Sequence, residues 1–409
     1  MSKKKRDLLA FRPSRAKSAV VALLTAFAAL TLSLLPVGSA VTAAAQPWPG
    51  QLAPPAPAPC PSGETLIAPT SGWTDNLGVS HVTYRADPGI VAMVPPKGLT
   101  AGKVSAALMA DVGMRAPSVH SPSFQRMVQQ VLRLARNQRA PEFCRSAPDR
   151  TTRPTATTTV VANSALNVVQ LANNWAGYAT TEAERGGTPI TDAFGAWTVP
   201  SHTPGRTPSA ESTWVGIGGG VDGESSVSLI QTGTEMQTNE GFRSFWQAVG
   251  TGCGGGCGNY SSTDAVLPGD SVTGEVYWTS SAQACFYFFD LSRSTGSWDV
   301  CQGASPYDPS SAEWINEWPD FTAVSYDNPH TVAWSAMLAG RYGDTLTSPF
   351  ITPWLAIVMT PPGGGHGPYT CSGQYMSIPI DAATNSSGVG TSNVITCYDP
   401  PASNYITGP

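Results

Sequence analysis

The sequence predicts an all-β protein, an antiparallel sandwich of many short strands, preceded by an export signal and a small, partly helical region. Three observations carry this reading. From residue 166 onward, strand-like runs alternate with clusters of Gly, Pro, Ser and Asn. The one convincing helical pattern lies ahead of that region. Charge changes sharply near residue 165. Residues 46–165 hold 11 Lys and Arg against 6 Asp and Glu, a net of +5. Residues 166–409 hold 5 Arg, no Lys and 21 Asp and Glu, a net of −16. The formal net charge of −5 for the 409 residues conceals this contrast. We therefore divide the chain into 1–45, 46–165 and 166–409.

The first segment has the layout of a secretory signal. Lys3, Lys4, Lys5, Arg6, Arg12, Arg15 and Lys17 form a positive start, and Ala19 to Pro36 is apolar. Small residues follow, with cleavage expected after Ala40 or Ala45. The competing reading is a single membrane anchor; the small-residue exit favours removal. No other apolar stretch is long enough to span a bilayer. A twin-arginine signature is absent, so general secretion is expected, to an extracellular location with no membrane contact after signal removal.

Residues 46–165 begin with a Pro/Ala run, Pro47 to Pro61, and end in a Thr, Pro, Arg and Ala-rich stretch, Ser146 to Thr159. Both have the composition of exposed linkers. Arg150 and Arg153 are candidate cleavage points. Between them, Phe124, Met127, Val128, Val131, Leu132 and Ala135 follow helical spacing. Ser121 is placed to cap this helix and Pro122 suits its first turn. Arg126, Arg133, Arg136 and Arg139 leave its remaining surface basic. Such a helix suits a position over an acidic groove; an ordinary amphipathic helix of a small domain would read the same way. A basic region beside an acidic one suggests mutual attraction.

In residues 166–409 the strand-like runs are Ser271 to Thr279, Cys285 to Leu291, Thr331 to Leu338, Trp354 to Met359 and Gln374 to Ile380. The length of residues 166–409 is ample for one large β domain with its own core. The region's acidity argues against nucleic-acid binding, because phosphate contacts need Lys and Arg. Eight cysteines in an exported chain predict disulfides. Sequence proximity favours Cys60–Cys144, Cys253–Cys257, Cys285–Cys301 and Cys371–Cys397. A metal site at Cys253 and Cys257 lacks the second ligand pair that zinc needs.

Two segments about eighty residues apart offer useful chemistry. Gln231 lies in Leu229-Ile-Gln-Thr-Gly-Thr-Glu235, and Glu313 in Ala312-Glu-Trp-Ile-Asn-Glu-Trp318. By strand alternation Glu313, Ile315 and Glu317 share one face. A carboxyl beside aromatic and apolar surface has its neutral form favoured. It can activate water or protonate a leaving amine. The Gln231 amide can accept from a water and donate to a developing oxyanion. Taken alone, each residue reads more readily as a structural polar group. Other constellations are weaker. His202, His330 and His366 form no metal-binding motif of the HExxH kind. Gly-x-Ser-x-Gly and the paired Asp-Thr/Ser-Gly motifs are absent. Gly363 to Gly367 reads as a flexible turn.

Five segments occur in an order that resembles the glutamic peptidases, or eqolisins. They are Asn174-Trp-Ala-Gly-Tyr178, Thr213-Trp-Val-Gly-Ile-Gly-Gly219, Ile230-Gln-Thr-Gly233, Pro268-Gly-Asp-Ser-Val272 and Ala312-Glu-Trp-Ile-Asn-Glu317. The resemblance covers most of residues 170–400. It implies a concanavalin-like β-sandwich of two antiparallel sheets, with Gln231 and Glu313 as a catalytic dyad across the concave sheet. It also implies that Trp175 and Trp214 line the substrate groove. Glu235 keeps an acid four residues beyond Gln231 and is assigned to substrate binding. The family's pattern carries an acid where this chain has Gly218, and a glutamate where it has Gln247.

The resulting expectation is a secreted, pepstatin-insensitive acid endopeptidase made as a zymogen. It would act as a monomer on polypeptides, with its own propeptide as partner and no metal or organic cofactor. Two rivals keep other roles open. One is a glycoside hydrolase pairing Glu313 with Glu317 or Glu235; the other is a lectin-like binding module with a Trp-lined groove.

Overall fold

The computed structural model describes residues 59–397 apart from 85–86, 113–121, 138, 147–160, 163–166, 173–174, 201–209, 222–227, 238–240, 251–258, 294–295, 318–329, 353, 360–375 and 387. In the N-terminal region the elements are β1 (Thr65–Ile67), β2 (Pro69–Thr74), β3 (Ser80–Tyr84), β4 (Asp87–Val94), α1 (Ala106–Asp111), α2 (Pro122–Asn137) and β5 (Phe143–Arg145). Then follow β6 (Val161–Ala162), β7 (Asn167–Ala172), β8 (Trp175–Thr181), β9 (Asp192–Thr198), β10 (Ala210–Gly218), β11 (Ser228–Gln237), β12 (Gly241–Gly250) and β13 (Asn259–Val266). The rest are β14 (Ser271–Ser280), β15 (Gln283–Asp290), β16 (Trp298–Gly303), β17 (Ser311–Glu317), β18 (His330–Gly340), β19 (Trp354–Met359), β20 (Met376–Thr384) and β21 (Gly390–Cys397). The five expected strand runs fall on β14, β15, β18, β19 and β20.

Hydrogen-bonded neighbours trace two layers. The first runs β7–β19–β8–β17–β10–β11–β12–β13–β5–β1, and the second β20–β21–β18–β9–β14–β15–β16–β4–β3–β2. Pairing is antiparallel except between β7 and β19. Among the described residues a single pair, Met359 with Ser377 on β19 and β20, joins the layers at one end.

Strand alternation sends one set of side chains into the space between layers. From the first layer come Val215, Ile217, Ile230, Trp246 and Trp314; from the second come Val272, Val276, Phe286, Phe288 and Trp298. Burying each such side chain contributes about 1.5–3 kcal/mol. A buried indole N–H favours a hydrogen-bond partner, and four of these indoles find theirs across the gap. Trp197 Nε1 donates to Thr234 Oγ1 at 3.2 Å, and Trp298 Nε1 to Ser244 Oγ at 2.8 Å. Trp246 Nε1 donates to Gln302 Oε1 at 3.1 Å, and Trp314 Nε1 to the Phe194 carbonyl at 2.8 Å. These bonds fix the relative position of the layers as well as their spacing.

The N-terminal region extends both layers. β5 lies between β1 and β13, so it satisfies the outer edge of β13. β4 pairs with β16 through Val91 and Ala92. Cys60–Cys144 and Cys285–Cys301 are bonded as expected. The other two expected pairs fall outside the described residues. Arg243 on β12 donates from Nη2 to the Pro59 carbonyl at 2.6 Å, fastening the start of the region to the first layer.

The helix expected from Ser121 to Arg139 is α2, but its position differs from a cover over an acidic groove. Val128, Val131 and Leu134 pack with Tyr277, Tyr287 and Phe289, on the outer face of the second layer. Gln130 Nε2 reaches Thr273 Oγ1 at 3.4 Å, and Arg133 donates to the Leu291 carbonyl. Gln231 and Glu313 lie in the first layer. The helix follows apolar complementarity rather than charge, because burying its Val and Leu stripe outweighs exposed ion pairs.

Candidate active site

The first layer turns its other face outward from the core. On β11 alternation gives that face Leu229, Gln231, Gly233 and Glu235, while Ile230, Thr232 and Thr234 point inward. On β17 the outward set is Glu313, Ile315 and Glu317. β10 lies between these strands. Gly216 is the partner of Gln231 on one side and of Glu313 on the other. The two polar residues therefore stand level, two strand spacings apart, with no β10 side chain between them. Strand spacing puts their backbones roughly 9–10 Å apart, close enough for side chains to converge on one small molecule.

The indole of Trp214 occupies the floor. A Cβ on Gly216 would lie 2.8 Å from Trp214 Cζ3 and 3.1 Å from Leu229 Cδ1. Trp214 donates its Nε1 hydrogen to Glu317 Oε2 at 2.7 Å. Trp175 meets it edge-on, with ring centroids 4.9 Å apart. These two tryptophans join Leu229, Phe245, Ile315, Leu355 and Ile357 in an apolar cluster around the polar pair. Glu313 is 0% exposed and Gln231 3%. Low surrounding polarity strengthens any electrostatic interaction made there.

Gln231 Nε2 donates to Gln247 Oε1 at 2.6 Å on the neighbouring strand β12. Glu235 lies farther along β11, where it accepts from Asn259 Nδ2 at 2.9 Å. The structure thus brings Gln231, Glu313, Trp214 and Trp175 to one neighbourhood. Glu235 shares their face about 13 Å along the strand from Gln231. Sequence reasoning missed Gly216 as the gap between the pair; its signal was a glycine in a strand pattern, which often marks close approach.

Residues 173–348 match the model of the Peptidase A4 family. That segment holds both Gln231 and Glu313, so the family model and the motif resemblance fall on the same residues. The glutamic-peptidase resemblance read from the motifs is the same assignment. Among solved structures, this peptidase is similar to scytalidoglutamic peptidase bound to a peptide-based transition-state analogue. The match has 18% identity and a TM-score of 0.36, and covers 54% of this chain and 97% of the other. It is also similar to SCP-B, an eqolisin family member in complex with the tripeptide Ala-Ile-His. There the identity is 16% and the TM-score 0.35, with 55% and 98% covered. No curated protein matches it.

Gly218, where the motif resemblance implied an acid, has an acid of this chain close by. Gly218 has φ +89°, and a Cβ there would lie 2.4 Å from the Ser228 carbonyl oxygen, so this backbone excludes a side chain. The same Cβ position is 3.4 Å from the Asp308 carboxyl carbon. A loop acid ahead of β17 thus occupies the neighbourhood. Sequence reasoning missed Asp308, because ninety residues separate it from Gly218. Among the described residues one group has metal-ligand character: Asp75, His81 and Asp111, in the N-terminal region. There Asp75 already accepts from Leu77 N, Val79 N and His81.

Proposed function

We propose that this Peptidase A4-like protein is a secreted acid endopeptidase, insensitive to pepstatin and made as a zymogen. Gln231 and Glu313 would form its catalytic dyad. The observation that carries the reading is their level placement on either side of Gly216, in an apolar surround.

The chemistry follows from the two side chains. Glu313, as carboxylate, removes a proton from a water that Gln231 helps to hold. The water oxygen attacks the scissile carbonyl carbon, and the carbonyl oxygen becomes an oxyanion. A Gln231 N–H donates to that oxyanion. Glu313 then passes its proton to the leaving nitrogen as the C–N bond breaks, which regenerates the carboxylate. Trp175 and Trp214 would support the substrate backbone, and Glu235 a more distant part of the polypeptide.

The zymogen proposal draws on the order of the chain, a basic region at 46–165 ahead of the acidic region from 166, with Arg150 and Arg153 between them. The N-terminal region would be the propeptide, released by cutting between Arg150 and Ala165. A monomer, exported by the signal over 1–45, completes the proposal. The glycosidase alternative loses ground on spacing. Glu317 lies four extended residues from Glu313, about 13 Å at strand rise. Paired carboxylates act at about 5–9.5 Å. Glu317 is also committed to Trp214.

The test is casein digestion at acid pH with pepstatin present, using the activated chain and its Glu313→Gln and Gln231→Ala variants. Each substitution is expected to reduce turnover by ~10²–10⁴-fold with the circular dichroism spectrum unchanged. Near-normal turnover in either folded variant would overturn the dyad.

A further inference from the structure

Gln231 can present its amide in two ways. One puts the carbonyl oxygen toward the gap above Gly216, and the other puts the NH₂ group there. The two orientations differ in what they offer a bound water, since only the oxygen accepts. Nothing in the Gln231 side chain itself selects between them.

The structure shows the first of these, held from the neighbouring strand. Gln247 is the direct partner of Gln231 in the β11–β12 register, on the side away from β10 and Glu313. Its Oε1 accepts from Gln231 Nε2 at 2.6 Å. Gln247 is 5% exposed, so solvent offers little competition for this bond. The Gln231 Oε1 atom, buried as well, takes no hydrogen bond among the described residues. One end of the amide is therefore tied to β12 and the other is left as an open acceptor.

We infer that Gln247 is a positioning residue that holds the Gln231 amide with its oxygen available to the hydrolytic water and one N–H free for the oxyanion. This rests on the Gln231–Glu313 reading above. An amide neither gains nor loses a proton in acid, so the tie is the same at every working pH. A glutamate at 247 would behave differently. Ionised, it accepts from Nε2 as Gln247 does. Protonated, its O–H can donate to Gln231 Oε1 and draw the amide into the opposite orientation.

The experiment compares wild type with Gln247→Leu and Gln247→Glu, alongside Gln231→Ala and Glu313→Gln. The readout is kcat and KM on casein peptides from pH 2 to 6. Gln247→Leu is expected to lower kcat about tenfold, the scale of one lost hydrogen bond, with little change in KM. For Gln247→Glu, the ratio of kcat to wild type should be near one at pH 6. It should fall several-fold through the carboxyl range near 4.3. A merely structural role would lower that ratio evenly. A ratio flat across the pH range, or wild-type kcat in Gln247→Leu, overturns the inference. If Gln247→Leu does not fold, the glutamate variant decides alone. Full activity in Gln231→Ala or Glu313→Gln would sink the dyad itself. Inactive dyad variants beside an unaffected Gln247→Leu would sink only the positioning role.

Discussion

The Trp214 indole gives its N–H to the Glu317 carboxylate at 2.7 Å, across the adjacent strands β10 and β17. Because that indole floors the gap between Gln231 and Glu313, Glu317 acts on the site through the ring. Removing the acceptor leaves a buried N–H unsatisfied, at about 1.5–3 kcal/mol for a charged hydrogen bond. Glu317→Leu should therefore lower the melting temperature and reduce casein turnover partially. Glu317→Gln, which keeps an acceptor, should retain most of both. A Glu317→Gln variant as inactive as Glu313→Gln would instead favour paired-carboxylate chemistry.

Gly216→Ala tests the floor directly. Its Cβ would lie 2.8 Å from Trp214 Cζ3, so the ring or the strand has to shift. We expect about tenfold or greater loss of kcat/KM, since small misplacements near reacting groups are costly. Near-ultraviolet circular dichroism should report the altered indole, while the far-ultraviolet spectrum stays unchanged. Wild-type kinetics in this variant would show that the gap above Gly216 is not where substrate reacts.

Stability should fall as pH rises from acid toward neutrality. Burial, with Asp270 nearby, pushes the Asp290 carboxyl up to about 7. Burial, with Glu275 beside it, raises Asp299 well above its ordinary value. Both groups are favoured in the protonated form in the folded chain and ionise near 4 when unfolded. Their contribution is thus complete below about pH 4 and is lost as pH climbs through the folded values. Melting curves from pH 3 to 8 should show the decline, and Asp290→Asn should flatten it. A melting temperature that rises steadily toward pH 8 would contradict this account.

The N-terminal region should be needed for folding. While the chain folds without β5 and β4, the edges of β13 and β16 lack partners, and open edges on an incompletely folded chain invite aggregation. A chain beginning at residue 161 should therefore refold in low yield, whereas a domain cut after folding stays soluble. Supplying residues 46–145 as a separate chain should rescue it. The charge contrast alone predicts that the two parts separate in acid. The buried Asp299 on the face that α2 covers predicts tighter association there. Titrating the two-chain complex from pH 7 to pH 3 distinguishes these signs.

Much of this was legible in the sequence because it was local. β14, β15 and β19 announce themselves by apolar and aromatic runs between turn residues. Alternation in Ala312 to Glu317 correctly placed Glu313 and Glu317 on one face. Four of the five motifs fall on β8, β10, β11 and β17, the strands around the site, while Pro268 to Val272 leads into β14 of the second layer. What stayed hidden depends on register between distant strands. Gly216 becomes informative only once β10 is known to lie between β11 and β17. Asp308 reaches Gly218 through a loop that no sequence spacing specifies. The helix α2 was legible, but of its two readings, a cover over an acidic groove or an ordinary amphipathic helix, its packing fits the second. Its arginines were conspicuous, and its partners Tyr277, Tyr287 and Phe289 lie more than a hundred residues away.

The four indole N–H bonds that bridge the layers carry one further consequence. Trp197, Trp246, Trp298 and Trp314 are dry, and each touches both halves of the sandwich. Trp73 is 54% exposed, the large tryptophan surface among the described residues. Intrinsic emission from this protein therefore reports on the seam between its two sheets together with the buried Trp175 and Trp214 of the first layer's outer face. A red shift that persists when Trp175 and Trp214 are replaced by Phe would mark water entering that seam.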